Sequence, residues 1–408
     1  MPDNTSKLTR RRFLTATAGG IVSAGLLNLT PARTLAQESD GDTAAAGGNI
    51  IHRTLGRTGL NVPIVSMGVM NASNPEIVQA SYEIGIRHFD TAAYYQFGRN
   101  EQMVGSVINR LKARDKIVLA SKIHTPGQRR GLPPEESKKK LIEACEASLR
   151  RLGTDFIDVL YVHDVGDPET VADKAIIEGM EILKEQKKVL YTGVATHTRM
   201  NEVIEAVVQG GFYDVVLTAV NFTMAENTAL LESIRKAAEQ GVAIVAMKAL
   251  AGGARWPNPQ ARQNYSSSTI ATAALKWVLR NENIATSIPG YTNYEHMQED
   301  FSVARNLEYT DEEKKLLSDN NVKLSLGYCH QCRKCLATCP EGVDIPNLMR
   351  THMYAAQYGN FHQARATLND IPSGAGLRHC GDCSSCRAQC ANTVDIAHRI
   401  EELKMIYC

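Results

Sequence analysis

Two runs of cysteine near the C-terminal end constrain this chain more than any other feature of its sequence. Ten cysteines occur among the 408 residues, and eight of them lie between positions 329 and 390. They form two runs of the same spacing, Cys-x2-Cys-x2-Cys-x3-Cys: Cys329, Cys332, Cys335 and Cys339, then Cys380, Cys383, Cys386 and Cys390. Three closely spaced cysteines followed by a fourth are typical ligands of iron–sulfur clusters. The spacing therefore predicts two [4Fe–4S] clusters.

Zinc and disulfide bonds are the competing interpretations. Cys-x2-Cys units also bind zinc, but zinc sites do not require three cysteines at this spacing plus a fourth, and disulfides would suit an exported chain. The first run ends in Cys339-Pro340 and resembles the bacterial ferredoxin run; Ala391 follows the second run, and proline is not a ligand. In two-cluster ferredoxins the fourth cysteine of each run ligates the other cluster. The resemblance thus implies two ligand sets: Cys329, Cys332, Cys335 and Cys390, and Cys339, Cys380, Cys383 and Cys386.

The composition of the whole chain limits the classes of function. Apolar residues make up 43% and charged residues 22%, which is the profile of a soluble globular protein. The net charge of +1 excludes a nucleic-acid binder that works through a basic surface. A length of 408 residues corresponds to one large domain or two ordinary ones.

The first 36 residues have the features of an export signal. Arg10, Arg11 and Arg12 precede a weakly apolar stretch, and Thr34-Leu35-Ala36 has the small-residue pattern of a cleavage site. Paired arginines before Phe-Leu resemble the twin-arginine type, which implies transport of the folded protein to the periplasm by the twin-arginine translocase. An uncleaved signal would leave the protein membrane-associated, and a basic start of a cytosolic chain is the alternative. Residues 37–49 are polar and Gly/Ala-rich and are predicted to be a flexible linker.

Between residues 50 and 306, short β-branched runs alternate with amphipathic stretches. Eight strands are predicted at residues 64–68, 87–91, 117–122, 159–163, 189–195, 215–221, 243–249 and 286–289. Eight strand–helix units over about 250 residues are the length of a (β/α)8 TIM barrel, an α/β fold. An open doubly wound sheet is the alternative, but it would need a Gly-rich phosphate turn after an early strand, and the sequence has none there.

Polar residues occur where several of these strands end, which is where TIM barrels place their chemistry. They are Asp90, Lys122 and His163, with Tyr95 in the loop after Asp90. The segments Phe89-Asp90-Thr91-Ala92-Ala93-Tyr94-Tyr95, Ala120-Ser121-Lys122 and Leu160-Tyr161-Val162-His163 resemble those of the aldo-keto reductase family. The opening segment Arg53-Thr54-Leu55-Gly56 also resembles that family, whose hairpin closes the bottom of the barrel. The resemblance covers about residues 52–306 and implies a carbonyl reductase or alcohol dehydrogenase.

The four residue types suit carbonyl chemistry. Reduction needs hydride at carbon and a proton at oxygen, and Tyr95 is the expected proton donor. A free tyrosine has a pKa of about 10, and we expect a neighbouring Lys122 cation to lower it. Asp90 can pair with Lys122, and His163 can orient the substrate oxygen. Each has a structural alternative, since buried Asp–Lys pairs and core histidines are common, but four such residues at strand ends favour catalysis.

The resemblance also implies a nicotinamide cofactor, NADP or NAD, although the sequence departs from the family's usual contacts. Ala195-Thr196 stands where the family usually has Ser-Asn, Leu217 stands where it often has Gln, and Met247 stands where it has an aromatic residue. The expected cofactor contacts are Thr196, Asn221, Met247 and Gly290. Few cations are present near the last strand to meet the additional phosphate of NADP, and the long loop at 251–267, which contains Trp256, suggests a lid.

Residues 327–408 resemble a mainly helical ferredoxin-like module. A helix is predicted from Pro346 towards Tyr358, another over 361–368, and Ile396, Ile400 and Leu403 share one helical face. Residues 307–326 are predicted to form a connecting helix over 310–326. Such a helix is long enough to climb the height of the barrel, so we expect the cluster module to cap the catalytic end.

The sequence therefore predicts an exported oxidoreductase that couples carbonyl or alcohol chemistry at Tyr95 to electron transfer through two [4Fe–4S] clusters. Its expected partners are a small carbonyl or alcohol substrate and a redox partner whose identity the sequence does not reveal. The alternative is an electron-transfer protein whose barrel binds a ligand without turning over NAD(P)H.

Overall fold

A computed structural model describes residues 48–124, 131–252, 264–381, 383 and 385–408. The predicted export signal, nearly all of the predicted linker, and Trp256 with most of its loop lie outside these ranges. Within them, every helix is too short or too polar to span a bilayer.

A β-hairpin closes the bottom of the molecule. Strands β1 (His52–Thr54) and β2 (Asn61–Pro63) pair antiparallel. The turn between them lies against Gly241, just before the start of a barrel strand, and the Arg57 amide donates to the Gly241 carbonyl at 2.7 Å. Gly56 has φ 50°, and a Cβ there would lie 2.3 Å from the same carbonyl oxygen, so this close approach requires glycine.

Eight parallel strands form the barrel, as the sequence predicted. They are β3 (Met67–Gly68), β4 (His88–Asp90), β5 (Val118–Ile123), β6 (Ile157–Val162), β7 (Val189–Thr196), β8 (Val215–Ala219), β9 (Ala243–Met247) and β10 (Thr286–Ser287). The Ser66 amide donates to the Ser287 carbonyl at 2.8 Å, which joins the first strand to the last. Most strand residues are buried because helices cover the outside and side chains fill the inside.

The helices of the barrel follow the predicted alternation. They are α1 (Pro75–Ile84), α2 (Arg99–Arg110), α3 (Pro134–Leu152), α4 (Pro168–Val171), α5 (Lys174–Glu185), α6 (Met200–Gly210), α7 (Thr228–Glu239), α8 (Ser267–Leu279) and α9 (Tyr294–Ser302). Helices α1, α3 and α4 begin at a proline, whose missing amide proton is not needed in the first turn of a helix.

The connecting segment is two helices rather than one. Helix α10 (Asp311–Ser318) begins with a capping box between Thr310 and Glu313, and α11 (Asn320–Leu326) follows. The prediction of a single helix over 310–326 is therefore wrong. Asp319 is extended, with φ −80° and ψ 106°, and its carboxylate accepts a hydrogen bond from the Asn321 amide at 2.9 Å. A short acidic side chain that bonds to a nearby amide competes with the helix in this way.

The C-terminal region is helical and has its own small core. Helix α12 (Ile345–His352) continues into a π-helical turn (Met353–Gln357), followed by α13 (Phe361–Asn369) and α14 (Ile396–Tyr407). Its core includes Val343, Leu348, Ile371, Ile396 and Leu403.

This C-terminal region lies over the C-terminal ends of the barrel strands. Arg350 of α12 binds Asp164, which follows β6, through two hydrogen bonds of 2.5 and 2.8 Å. Asn360, just before α13, donates to Asn71 in the loop after β3 at 2.7 Å. The module thus caps the end of the barrel where the catalytic residues are expected, and we call residues 345–369 the roof.

Candidate active site

The structure brings the four predicted catalytic residues together beneath the roof. Asp90 is the last residue of β4, Lys122 lies near the end of β5, His163 follows β6, and Tyr95 begins the turn after β4. All four are buried and line one cavity. The Lys122 ammonium pairs with the Asp90 carboxylate and donates to the Thr91 carbonyl at 2.8 Å. Lys122 is thereby fixed in position within the barrel.

Tyr95 lies beside this ion pair, with the Lys122 ammonium 5.1 Å from the centre of its ring. Burial raises the pKa of Tyr95 well above its ordinary value, and the neighbouring Tyr94 and Asp90 raise it further. The expectation of a lowered pKa is therefore wrong for the structure described here: burial and these neighbours outweigh the charge of Lys122, which is paired with Asp90. A raised pKa keeps the phenol protonated, which is the form that can donate a proton to a developing alkoxide.

His163 is held by a residue that the sequence analysis did not single out. The Tyr94 hydroxyl lies 3.4 Å from His163 Nε2 and accepts a hydrogen bond of 2.9 Å from Gln363 of the roof. The His124 ring stacks on the His163 ring with centroids 4.9 Å apart. Burial, with His124 and Lys122, lowers the pKa of His163 far below its ordinary value, so the imidazole is neutral. The only sequence signal for Tyr94 was its position beside Tyr95.

Barrel and roof share the walls of the cavity, whose volume is about 700 Å³. This volume is in the range of small-molecule sites. The barrel contributes the four predicted catalytic residues, and the roof contributes Tyr354, Gln357, Tyr358 and the segment 359–362. The site is therefore built from both parts of the chain.

The predicted cofactor contacts divide into two pairs. Met247 and Gly290 line the cavity, whereas Thr196 and Asn221 are not among the described residues of its wall. The Thr196 hydroxyl donates to the Thr198 carbonyl at 3.0 Å, so this hydroxyl hydrogen is not available to a cofactor. The Asn221 side chain accepts from the Thr223 amide and donates to the Lys248 carbonyl at 3.3 Å. Asn221 therefore fixes the backbone of a neighbouring loop.

Lys248 is a second lysine of the cavity that sequence analysis missed. It follows β9, has φ 58°, and places its ammonium 4.6 Å from the centre of the Tyr354 ring and 5.1 Å from that of Tyr358. Burial and the positive charges of Arg350 and Lys122 lower the pKa of Lys248 to about 7. The signal in the sequence was a lysine directly after an apolar strand.

The cysteines form two groups, and each group contains cysteines from both runs. Asn392, just after the second run, donates from its amide to Cys390 Sγ at 3.3 Å and from its side chain to Cys332 Sγ at 3.8 Å. Gln331 donates to Cys329 Sγ at 3.4 Å. Burial raises the pKa of Cys329 to about 12, and interactions with three other cysteines contribute to this shift: Cys390, Cys335 and Cys332.

The second group encloses a space of its own. Cys339, Cys380, Cys383 and Cys386 line one cavity of about 120 Å³. Among the described residues, no three His, Cys, Asp or Glu side chains meet at a site for a single metal ion. Four thiols around a small cavity, and amides directed at the sulfurs of the other group, fit the ligand chemistry of iron–sulfur clusters.

Two family profiles match the sequence. The profile of the aldo/keto reductase family matches residues 66–267, and that of the 4Fe-4S dicluster domain matches residues 293–395. Among curated proteins, the chain is 28% identical over 306 residues to an uncharacterized oxidoreductase of Bacillus subtilis, YqkF, which covers 66% of this chain and 95% of the relative.

Solved structures show the same fold for the barrel. The aldo-keto reductase AKR11C1 from Bacillus halodurans (holo form) is 24% identical with a TM-score of 0.55, covering 66% of this chain and 95% of that one. An aldo/keto reductase from Klebsiella pneumoniae, in complex with NADP and acetate, is 21% identical with a TM-score of 0.52, covering 65% of this chain and 93% of that one.

Proposed function

Because this chain is an oxidoreductase with an aldo/keto reductase domain and a C-terminal 4Fe-4S dicluster domain, we propose that it interconverts a carbonyl and an alcohol at Tyr95 and exchanges electrons through two clusters. One observation carries the proposal: a single cavity is lined by Asp90, Tyr95, Lys122 and His163 and is roofed by the dicluster domain. A site built from both domains favours one coupled activity.

In reduction, the substrate oxygen lies between Tyr95 and His163 and receives its proton from the Tyr95 hydroxyl. Lys122 stabilises the phenolate that then forms, since its ammonium is held beside the ring by Asp90. The neutral His163 orients the oxygen through a ring N–H. In the structure the Tyr94 hydroxyl lies beside Nε2. Either this hydroxyl moves away when the substrate oxygen binds at Nε2, or His163 acts on the oxygen through Tyr94. In oxidation, the proton moves in the opposite direction.

A nicotinamide, when bound, would supply or accept the hydride. The presence of NADP in the Klebsiella relative supports this cofactor. Met247 and Gly290 would hold it, together with Arg99 and His296, which line the same cavity and could meet a phosphate. The side chains of Thr196 and Asn221 form hydrogen bonds to the Thr198 and Lys248 carbonyls. The residues that contact the cofactor should therefore differ from those that the sequence suggested.

The clusters supply one-electron transfer when bound. We propose that Cys329, Cys332, Cys335 and Cys390 hold one of them and that Cys339, Cys380, Cys383 and Cys386 hold the other. Gln331 and Asn392 donate hydrogen bonds to sulfurs of the first set, and such bonds influence cluster potential. The partner that exchanges electrons with the clusters is a further redox molecule.

We also propose that residues 1–36 direct export through the twin-arginine translocase to the periplasm. The arginine pattern and the small-residue end support it. Fractionation of cells that make the full chain, compared with an Arg10→Lys/Arg11→Lys/Arg12→Lys variant, tests the location. Equal amounts of both in the periplasm would contradict it.

The proposed coupling is tested by an anaerobic titration of the cluster-loaded protein with NADPH and then NADH while the visible iron–sulfur absorption is followed. Bleaching is the expected result: the hydride of NADPH carries two electrons, each of the two clusters accepts one, and NADP⁺ and a proton are released. Absence of bleaching in protein that dithionite does bleach would contradict the coupling.

Tyr95→Phe tests the carbonyl chemistry. We expect carbonyl reduction to fall by about 10²- to 10⁴-fold, the usual contribution of a general acid, while dithionite still reduces the clusters. Tyr294→Phe on α9 is the control, since this side chain is 49% exposed. Unchanged reduction by the Tyr95 variant would overturn the assigned role. The absence of any NAD(P)H turnover in the unaltered protein would favour a barrel that only binds a ligand.

A further inference from the structure

Lys248 occupies an unusual position for a cation. Its side chain lies at the wall of the catalytic cavity, with the ammonium against the faces of Tyr354 and Tyr358. Its φ of 58° is in the left-handed region, which non-glycine residues seldom adopt except where surrounding structure enforces it. The hydrogen bond from Asn221 to its carbonyl helps to hold it there. The fold thus maintains a strained backbone that keeps this ammonium under the roof.

In the part of the chain that the structure describes, the charges that act on Lys248 are other cations and include no carboxylate. The charges that shift its pKa are Arg350 and Lys122, and both lower it. Arg350 is bound to Asp164 and Lys122 to Asp90, so those carboxylates are already engaged. A desolvated cation without an anion is unfavourable, and contact with two rings recovers only part of the lost hydration.

The cavity wall carries more positive than negative charge, which also favours an anionic ligand. Among the described residues that line it, the cationic side chains are Arg99, Lys122 and Lys248, whereas Asp90 is the single carboxylate and is paired with Lys122. Gln357, Tyr354 and Tyr358, whose side chains carry amide and hydroxyl donors, belong to the same wall. Such groups complement an anionic oxygen.

We propose that Lys248, with Gln357 and Tyr358 of the roof, binds a carboxylate of the substrate, so that the substrate is an anionic carbonyl or alcohol compound. This inference rests on the proposed function and names its substrate class. The carboxylate anchors the molecule under the roof while its carbonyl reaches Tyr95.

The position of Lys248 favours the substrate over a cofactor phosphate. Lys248 lies close enough to Lys122 for their charges to interact, and it is covered by the roof tyrosines. Arg99, by contrast, lines the same cavity but is exposed. A cofactor phosphate remains an outcome that the experiment must separate.

Binding is measured by calorimetry on the full cluster-loaded protein with benzoate and with benzamide, a neutral analogue of the same shape. Neither probe requires turnover. We expect Lys248→Met to weaken benzoate binding by about 10- to 100-fold, the effect of losing a hydrogen bond to a charged group, and to leave benzamide almost unchanged. Lys248→Arg should retain most of the benzoate affinity. Lys236→Met, which removes the same charge on the exposed surface of α7, should leave both affinities unchanged.

A second experiment compares the rates at which 4-formylbenzoate and 4-formylbenzamide are reduced. A third measures the affinity for NADPH. If neither aldehyde is reduced, the proposed function fails while the benzoate result still decides the anion site. Equal loss of benzoate and benzamide affinity in Lys248→Met would overturn the inference. So would benzoate binding no tighter than benzamide in the unaltered protein. A loss confined to NADPH would assign Lys248 to a cofactor phosphate instead.

Discussion

The two lysines of the cavity show how surroundings give one residue type two roles. Lys122 is buried against Asp90 and the Thr91 carbonyl, and the ion pair keeps it in place. Lys248 instead faces aromatic rings, and its pKa falls to about 7. A lysine with a pKa near neutrality responds strongly to a bound anion, because the anion stabilises its charged form.

The affinity for a carboxylate should therefore depend on pH with a predictable sign. Below pH 7 Lys248 is charged and benzoate binds most tightly; above pH 7 the free protein loses this proton, and affinity falls by up to about tenfold per pH unit. His197, which also faces the site, stays neutral because burial lowers its pKa far below the ordinary value. Arg350 stays charged, because Asp164 raises its pKa.

Calorimetry with benzoate between pH 6 and pH 9 checks this prediction. Lys248→Arg is the matched variant, since arginine does not lose its proton in this range and its affinity should be nearly flat. A pH profile of the unaltered protein as flat as that of the arginine variant would contradict the role of Lys248.

At the scale of elements, the roof depends on a few contacts between helices and barrel loops. Arg350 of α12 forms a bidentate pair with Asp164, and both side chains are nearly buried, at 7% and 12% exposure. Gln363 of α13 binds Tyr94, which in turn contacts His163. The roof helices therefore connect directly to the catalytic residues.

Breaking the Arg350–Asp164 pair should loosen the roof. Removal of one partner of a buried pair costs about 3–5 kcal/mol, because the other charge loses its main compensation. We expect Arg350→Met to increase hydrogen exchange in α12 and α13 and to lower the melting temperature. The double variant Arg350→Met/Asp164→Asn should recover part of the loss. Arg235→Met, on the exposed surface of α7, is the control, and equal exchange in both single variants would contradict the prediction.

The elements themselves were largely predictable from local pattern. Eight apolar runs became eight strands, and the helix predicted from Pro346 begins at Ile345. The break at Asp319 was missed because it depends on a hydrogen bond between the Asp319 carboxylate and the Asn321 amide. Helical periodicity does not reveal whether such a side chain bonds to backbone or faces solvent.

At the scale of the molecule, the two domains have cores of very different size. The barrel core extends through eight strands and their helices, whereas the core of the C-terminal region is one small group of apolar side chains that includes Cys335. A small core is marginal by itself, and metal centres often supply the missing stability.

Removal of the clusters should therefore unfold the C-terminal region while the barrel remains. We expect anaerobic iron chelation to raise hydrogen exchange strongly in α12, α13 and α14 and to leave the central strands β5–β9 protected. Reconstitution with iron and sulfide should restore the original exchange. Unchanged protection of the three helices after complete loss of iron would show that the small core is sufficient.

The sequence by itself determined the (β/α)8 fold, the helical dicluster module, and the strand-end positions of Asp90, Lys122 and His163. Spacing and periodicity are properties of neighbouring residues, and they set the ligands and the buried faces. The tertiary structure decided what depends on distant residues. It brings Arg350 to Asp164, 186 positions away, and Gln363 to Tyr94, 269 positions away. It also places Lys248 against Tyr354 and Tyr358. Charge, burial and pKa follow from these contacts, because they depend on which groups meet in space.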